Sequence, residues 1–299
     1  KVSVRTRGLD YGGYFDQDPG DLATNLRRET VLALEQLEIP VVFSHHEVSA
    51  SQHEIDLRHT DALTMADTVM TCRVVIKEIA VSHGYYATFM PKPIPNLTGN
   101  GCHAHVSLWN KTGKKNLFHD AKGELGLSGL AYNFMGGILH SADALAAIFN
   151  PTVNSYKRIN AAATISGATW SPNSISYTGN NRTHMIRIPE PGRFELRLAD
   201  GSTNPYLAQA AILMAGLDGI ENKLDPGQPL DRDIYSLTEE ELAPIPVLPG
   251  SLDEALDCLE EDHEFLLKGD VFTPDALLID LLYCSARSTK YVQAWGRAG

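Results

Sequence analysis

Apolar residues recur along this chain at two spacings, and the switches between them predict its elements. Over residues 21–37 (DLATNLRRETVLALEQL), Leu22, Leu26, Val31, Leu34 and Leu37 fall mostly on one helical face. Pro19, Gly20 and the capping candidate Asp21 open that helix, and Pro40 stops it. Residues 41–48 are β-branched and aromatic, a small polar break covers 49–52, and 53–57 resume the pattern, which predicts a hairpin. A second long helix is predicted over 62–83, ended by Gly84. Residues 85–90 predict a strand closed by Pro91, Pro93 and Pro95, and 103–109 alternate as another. A helical pattern runs over 127–149 despite Gly136 and Gly137, and two short strands flank Pro189 to Gly192 within 185–198. Asn204 and Pro205 supply a cap and first position for a helix over 204–220. A Pro-rich loop over 226–249 leads to a last helix over 251–267. Hairpins and long helices without βαβ alternation give an α+β class.

Composition narrows the partners. The 299 residues are 43% hydrophobic and 21% charged, with a formal net charge of −12. An acidic surface of that size disfavours nucleic acid and membrane surfaces, which are themselves anionic. No uninterrupted apolar run of about 18 residues reads as a bilayer span. Cys72, Cys102, Cys258 and Cys284 show no CxxC spacing, which fits reduced thiols of a cytoplasmic protein.

Charged and imidazole groups sit inside segments that otherwise read as strands. Glu47 and Glu54 flank the hairpin turn, so they can face one side across it. His103 and His105 share a strand face, and Arg193, Glu195 and Arg197 alternate against Phe194, Leu196 and Leu198. Taken singly, each group has a bland alternative: a solvated Arg–Glu–Arg face, structural histidines, surface carboxylates. Together, carboxylates with one or two imidazoles make sites for Mg²⁺ or Mn²⁺. Guanidiniums beside them suit a phosphoryl-transfer transition state. No GxxxxGK[ST] occurs, so side chains and metals would have to hold the phosphates. Residues 159–181 form a long polar stretch of the kind that usually carries function.

GGYF (12–15), HHEVSASQHE (45–54), FMPKP (89–93), GNGCHAHVSL (99–108), NPTVNSYKR (150–158), NRTHMIRIP (181–189) and RFELRLADGSTNPYL (193–207) follow in an order that resembles glutamine synthetase. The resemblance implies a glutamine-synthetase-type catalytic domain over residues 1–299, a curved antiparallel sheet flanked by helices. It implies that Glu47 and Glu54 bind one Mg²⁺ or Mn²⁺, and that His103 and Glu195 bind a second. His105, Ser107 and Arg193 are similar to nucleotide-contacting positions for ATP. Gly99, Arg158 and Arg197 resemble the glutamate-binding and phosphate-clamping set, with Arg182 and Arg187 near the transferred phosphoryl. Tyr14 matches a tyrosine of the ammonium pocket. The implied reaction joins ammonia to the γ-carboxyl of glutamate through γ-glutamyl phosphate, in a homo-oligomer of stacked rings.

Departures shape the expectations. Two further metal-ligand glutamates and a small N-terminal sheet domain are expected upstream of Lys1, and the closing WGRAG does not resemble the family's usual end. Residues 159–181 contain no acidic side chain, and Thr164 lies near the place of a family glutamate that guards the amine site. Losing a carboxylate weakens capture and deprotonation of ammonium. With SGATW (166–170), similar to branches that use methylamine, this leaves a second reading: the same chemistry on methylamine, giving γ-glutamylmethylamide. A third is a non-catalytic scaffold. Thr98 stands where an asparagine is expected before Gly99, with Asn100 displaced. Tyr235, in DIYSLTEEE, lies where some bacterial members are adenylylated, and an exposed tyrosine is the simpler reading.

Overall fold

The computed structural model describes residues 8–161 and 169–277. The chain divides into two compact units, one holding residues 8–89 and 93–98, the other 90–92, 99–161 and 169–277.

In the first unit, helix α1 (Thr24–Gln36) precedes strands β1 (Val41–His46) and β2 (His53–Leu57), and helix α2 (Ala62–Ser82) follows. β1 and β2 form the expected antiparallel hairpin, with His45 opposite Glu54. Asp61 caps α2 by accepting from the Thr64 N–H, and Gly84 closes it at φ +76. Asp21 does not cap α1, which starts at Thr24. Its carboxylate instead accepts from the Ala23 N–H and the Thr24 hydroxyl and pairs with Arg27.

The second unit is built on a four-stranded sheet of β3 (Ala104–Val106), β4 (Tyr177–Thr178), β5 (Ile186–Glu190) and β6 (Arg193–Leu196), in the order β3-β6-β5-β4. β4 runs parallel to β5, so the sheet is mixed rather than purely antiparallel. One sheet face is apolar: Ile186, Phe194 and Leu196 are buried with Phe118, Phe134 and Phe149. Helices α3 (Gly129–His140), α4 (Ala142–Phe149), α5 (Val153–Ile159) and α6 (Pro205–Asn222) follow in this unit, then α7 (Glu239–Leu242), α8 (Leu252–Glu261) and α9 (Glu264–Leu267). Asn204 caps α6 by accepting from the Tyr206 and Leu207 N–H groups.

Four expectations are corrected. The 127–149 pattern is two helices broken at Ser141, because both are buried in the core and an unbroken apolar run conceals the break. Residues 85–90 form no strand, since no neighbouring strand pairs with them and the prolines that follow lack N–H donors. The strand predicted over 103–109 shrinks to β3, and the last helix splits into α8 and α9. Helix α5 was not foreseen: its buried side includes Ser155 and Arg158, so it shows no apolar stripe. No helix among the described residues is long and apolar enough to cross a membrane.

Candidate active site

Hairpin register places Glu54 opposite His45, and Glu47 lies two residues on from His45, so all three share a face. Each offers a ligand atom within 4.8 Å of the others. His45 Nε2 lies 3.1 Å from Glu47 Oε1, while Glu47 Oε2 accepts the Val48 N–H at 2.9 Å. Burial, then a hydrogen bond and charge from Asp56, then Glu47, push the Glu54 carboxyl well above the usual carboxylate range. Carboxylates held this close fit a divalent cation, which would offset their repulsion through hard oxygen ligands. The donor set of two carboxylates and an imidazole therefore suits Mg²⁺ or Mn²⁺. Tyr14 packs edge-on against His45, with ring centroids 5.5 Å apart.

A second group, Asp10, Asp21, His46 and His53, also gathers within 4.8 Å. Here the chain supplies its own cation. Arg27 Nη1 lies 2.5 Å from Asp21 Oδ2 and donates to His53 Nδ1 at 3.0 Å. Asp10 ties the turn together, accepting from the Ser51 N–H at 2.7 Å and facing His46 Nε2 at 3.1 Å. His46 Nδ1 in turn bonds the Glu47 carbonyl at 2.6 Å. These residues brace the turn that carries Glu47, and no motif in the sequence pointed to Asp10 or Arg27.

In the second unit the polar face of the sheet carries the chemistry. β3 sets His105 opposite Glu195, and β5 sets Arg187 opposite Glu195. Glu195 lies 3% exposed. It meets Arg197 Nη1 at 2.6 Å, Arg187 Nη1 at 2.8 Å and His103 Nδ1 at 3.3 Å. Burial would raise its carboxyl, but Arg197 and Arg187 outweigh that and hold it below the ordinary glutamate value. Burial and then Arg197 and Arg158 hold His103 well below the ordinary histidine range, so it is a neutral imidazole with a lone pair to give. A carboxylate accepts several partners at once, so Glu195 and His103 fit a metal even with both arginines in place.

Arg158 lies across this face. It donates to the Leu198 carbonyl at 2.9 Å and the Arg197 carbonyl at 3.2 Å. Burial, opposed by Asp200 and joined by Arg197, brings its guanidinium down to about 10. A Cβ at Gly99 would stand 3.1 Å from Arg158 Cγ and 2.5 Å from the Pro91 carbonyl oxygen, so only glycine lets these stretches meet.

The remaining expected residues of this unit have partners other than Glu195. Arg193 pairs with Glu190 at 2.7 Å and contacts His105. Ser107 accepts the Trp109 indole N–H at 3.0 Å. Arg182 lines an open cavity of about 440 Å³ with Trp170, Asn180, Thr183 and Asp233. Beside it, the Tyr235 hydroxyl accepts the Trp170 N–H at 2.8 Å and lies 3.0 Å from Thr169 Oγ1, so this tyrosine is tied down as well as partly exposed. Thr164, residues 166–168 of SGATW and Cys284 lie outside the described residues.

The model of the glutamine synthetase catalytic domain matches residues 3–287. A glutamine synthetase of Rhizobium meliloti is 53% identical over 219 residues, 73% of this chain and 50% of the relative. That of Aquifex aeolicus is 48% identical over 270 residues, 88% of this chain and 56% of the relative. The chain thus spans about half the length of the curated relatives it matches. Among solved structures, a GmaS complex with ADP superposes at a TM-score of 0.87 with 44% identity, covering 97% of this chain and 66% of that one. A Plasmodium falciparum glutamine synthetase solved by cryo-electron microscopy superposes at 0.81 with 32% identity, covering 95% and 62%. With seven motifs in order and a carboxylate–arginine–imidazole face at their centre, the chain belongs to the glutamine synthetase catalytic-domain family.

Proposed function

We propose that the protein joins an amine to the γ-carboxyl of glutamate, converting ATP to ADP and phosphate. The observation that carries this is Glu195, buried between Arg187 and Arg197 and facing His103. Such a face suits a transferring phosphoryl group, whose charge is spread over its oxygens. Glu47 and Glu54 would hold one divalent cation and His103 and Glu195 another; when bound, these ions screen phosphate charge and polarise the transferred group. Gly99, Arg158 and Arg197 orient glutamate. Its γ-carboxylate oxygen attacks the γ-phosphorus of ATP, and ADP leaves with the electrons of the broken P–O bond. Arg182 and Arg187 stabilise charge on the transferring oxygens, and His105, Ser107 and Arg193 position the nucleotide. The amine, lodged near Tyr14, then attacks the acyl carbon, loses a proton and expels phosphate. A homo-oligomer in the cytoplasm completes the reading; Cys72, Cys102 and Cys258 are not joined in disulfides.

Ammonia is the first amine of this reading and methylamine the second. The second is favoured by residues 159–181, which offer no carboxylate to capture and deprotonate ammonium. The test is ADP release with glutamate and Mg²⁺, comparing ammonia with methylamine at matched free-base concentration. Faster release with ammonia supports glutamine formation, and faster release with methylamine supports γ-glutamylmethylamide. No release with either overturns the ligase and leaves the scaffold.

A further inference from the structure

Helix α2 keeps its small residues inside and several of its large apolar ones outside. A surface helix ordinarily turns its apolar stripe to the core. The buried residues of α2 are Ala66, Cys72 and Ala80, whereas Leu63, Met70, Val74 and Val81 are 67%, 41%, 58% and 63% exposed. At roughly 100° per residue these four fall within about 40° of one another and form one straight stripe. Its ends, Leu63 and Val81, stand about 27 Å apart along the axis. Helix α1 packs on α2 yet leaves the stripe uncovered. A contiguous row of exposed apolar side chains marks an interaction surface.

The spacing of the stripe is symmetric. Leu63 and Val81 stand nine residues either side of Cys72, and Met70 and Val74 stand two. A two-fold axis level with residue 72 therefore lays two copies of α2 antiparallel, with Leu63 against Val81 of the second copy and Met70 against Val74. Asp67 and Lys77 stand five residues either side of the same point. They flank the stripe, each about 40° from its centre. The same axis sets each level with the opposite charge of the second copy, so the flanks attract rather than repel. Farther round the helix, Arg73 and Glu78 also differ in sign. A face that is its own complement in apolar spacing and in charge fits a second copy of itself. A partner of one charge sign would gain no such match.

We infer that the exposed face of α2 is an interaction surface for a second copy of this chain, the two helices packing antiparallel about a two-fold axis at residue 72. Burial of Leu63, Met70, Val74 and Val81 from both copies supplies the driving force. A single helix pair is small beside the interfaces of stable dimers, so it joins copies reversibly. None of the residues assigned to the reaction lies on α2, so the inference stands apart from the ligase reading.

The experiment cross-links the seam with a short bismaleimide. A full chain carrying both Leu63→Cys and Val81→Cys should give a product of twice the chain mass on a denaturing gel, because each thiol meets the other kind across the axis. Leu63→Cys alone and Val81→Cys alone should give no more of it than the wild type, whose own cysteines set the background. Like positions lie about 27 Å apart in the antiparallel pair, beyond the reach of the linker. In sedimentation, Met70→Glu combined with Val74→Glu should weaken self-association about tenfold or more, because it sets like charges against each other in an apolar seam. No product from the double-cysteine chain overturns the inference, and so does equal product from either single variant. Self-association unmoved by Met70→Glu with Val74→Glu overturns it as well. A wild type that sediments as one chain at every concentration overturns it too. A Met70→Cys thiol that then resists a monofunctional maleimide assigns the stripe to another segment of the same polypeptide. ADP release with an amine is read separately, so failure of the ligase reading and failure of this inference are distinguishable.

Discussion

Glu195 and Arg187 stand directly opposite each other on the antiparallel strands β6 and β5, and their side chains meet at 2.8 Å. Arg197, two residues along from Glu195 and on the same face, reaches the other carboxylate oxygen at 2.6 Å. Period-two alternation thus does two jobs at once. Phe194 and Leu196 fill the core, while the intervening positions assemble a buried charge cluster on the opposite face.

Truncating this cluster should cost stability as well as activity. Glu195→Ala leaves Arg187 and Arg197 crowded without their shared anion, and breaking a buried pair in this way costs about 3 kcal/mol or more. Glu195→Gln preserves shape and part of the hydrogen bonding and should fall between. Denaturant unfolding of the three proteins measures this, and equal midpoints would refute the proposed burden on the arginines.

The hairpin makes the opposite case, because its carboxylates repel rather than pair. Glu54→Gln should leave the metal-free protein about as stable, since the Glu54 carboxyl, pushed up to about 9, is already uncharged at neutral pH and a neutral amide takes its place. Saturating Mn²⁺ should stabilise the wild type by about 2.7 kcal/mol at a hundredfold excess over its Kd, and Glu54→Gln by much less. Melting curves with and without Mn²⁺ decide, and an undiminished shift in both Glu47→Gln and Glu54→Gln would remove the ion from the hairpin.

Much of this was legible in the sequence wherever a residue's role coincided with a regular spacing. RFELRL shows its two faces directly, and HHEVSASQHE brackets a turn short enough to bring Glu47 and Glu54 together. Where burial is complete, spacing falls silent: α3 and α4 read as one helix because apolar residues run on through both sides of Ser141. Where the buried side is polar, as in α5, the periodic signal never arises. The anchoring of residues 90–92 was hidden for another reason. Proline-flanked segments read as loops, and only the hydrogen bonds that Asn154 makes to the Lys92 backbone and Asn100 to the Met90 carbonyl show that this one is held in place.

His184 gives a pH dependence with a definite sign. Its Nε2–H donates to the Arg232 carbonyl at 2.8 Å and its Nδ1 accepts from the Ser176 hydroxyl at 2.9 Å, so the neutral ring is fully satisfied. Burial outweighs the Arg232 hydrogen bond and the Asp233 and Asp231 charges, and lowers its proton affinity below the ordinary 6.5. Below that value the unfolded chain binds a proton that the folded chain refuses. Stability is therefore full above about pH 7 and declines as pH falls through about 6.5 towards the folded value. Unfolding free energies of His184→Gln measured across the same range should show a shallower decline, by up to about one proton in slope. Parallel slopes would mean that some other group sets the dependence.

Two glycines separate steric from conformational necessity. At Gly137, within α3, an added Cβ would lie 1.9 Å from the Ala215 carbonyl oxygen and 2.8 Å from the Gly219 nitrogen, both in α6. These are backbone atoms of a packed helix, which cannot rotate away, so Gly137→Ala must force α3 and α6 apart. Gly84, just past the end of α2, has nothing within 4 Å of its would-be Cβ, but its φ of +76 is one that side chains resist. Gly84→Ala should then cost only about 1 kcal/mol, the strain of a left-handed residue. Gly137→Ala should cost about 3 kcal/mol, at the upper end for overpacking, and much of its product should be insoluble. Because α3 and α6 carry none of the residues that would hold the ion, the Mn²⁺-induced shift should survive in whatever Gly137→Ala protein folds. Equal destabilisation by the two substitutions would show that the α3–α6 contact yields more readily than its geometry allows.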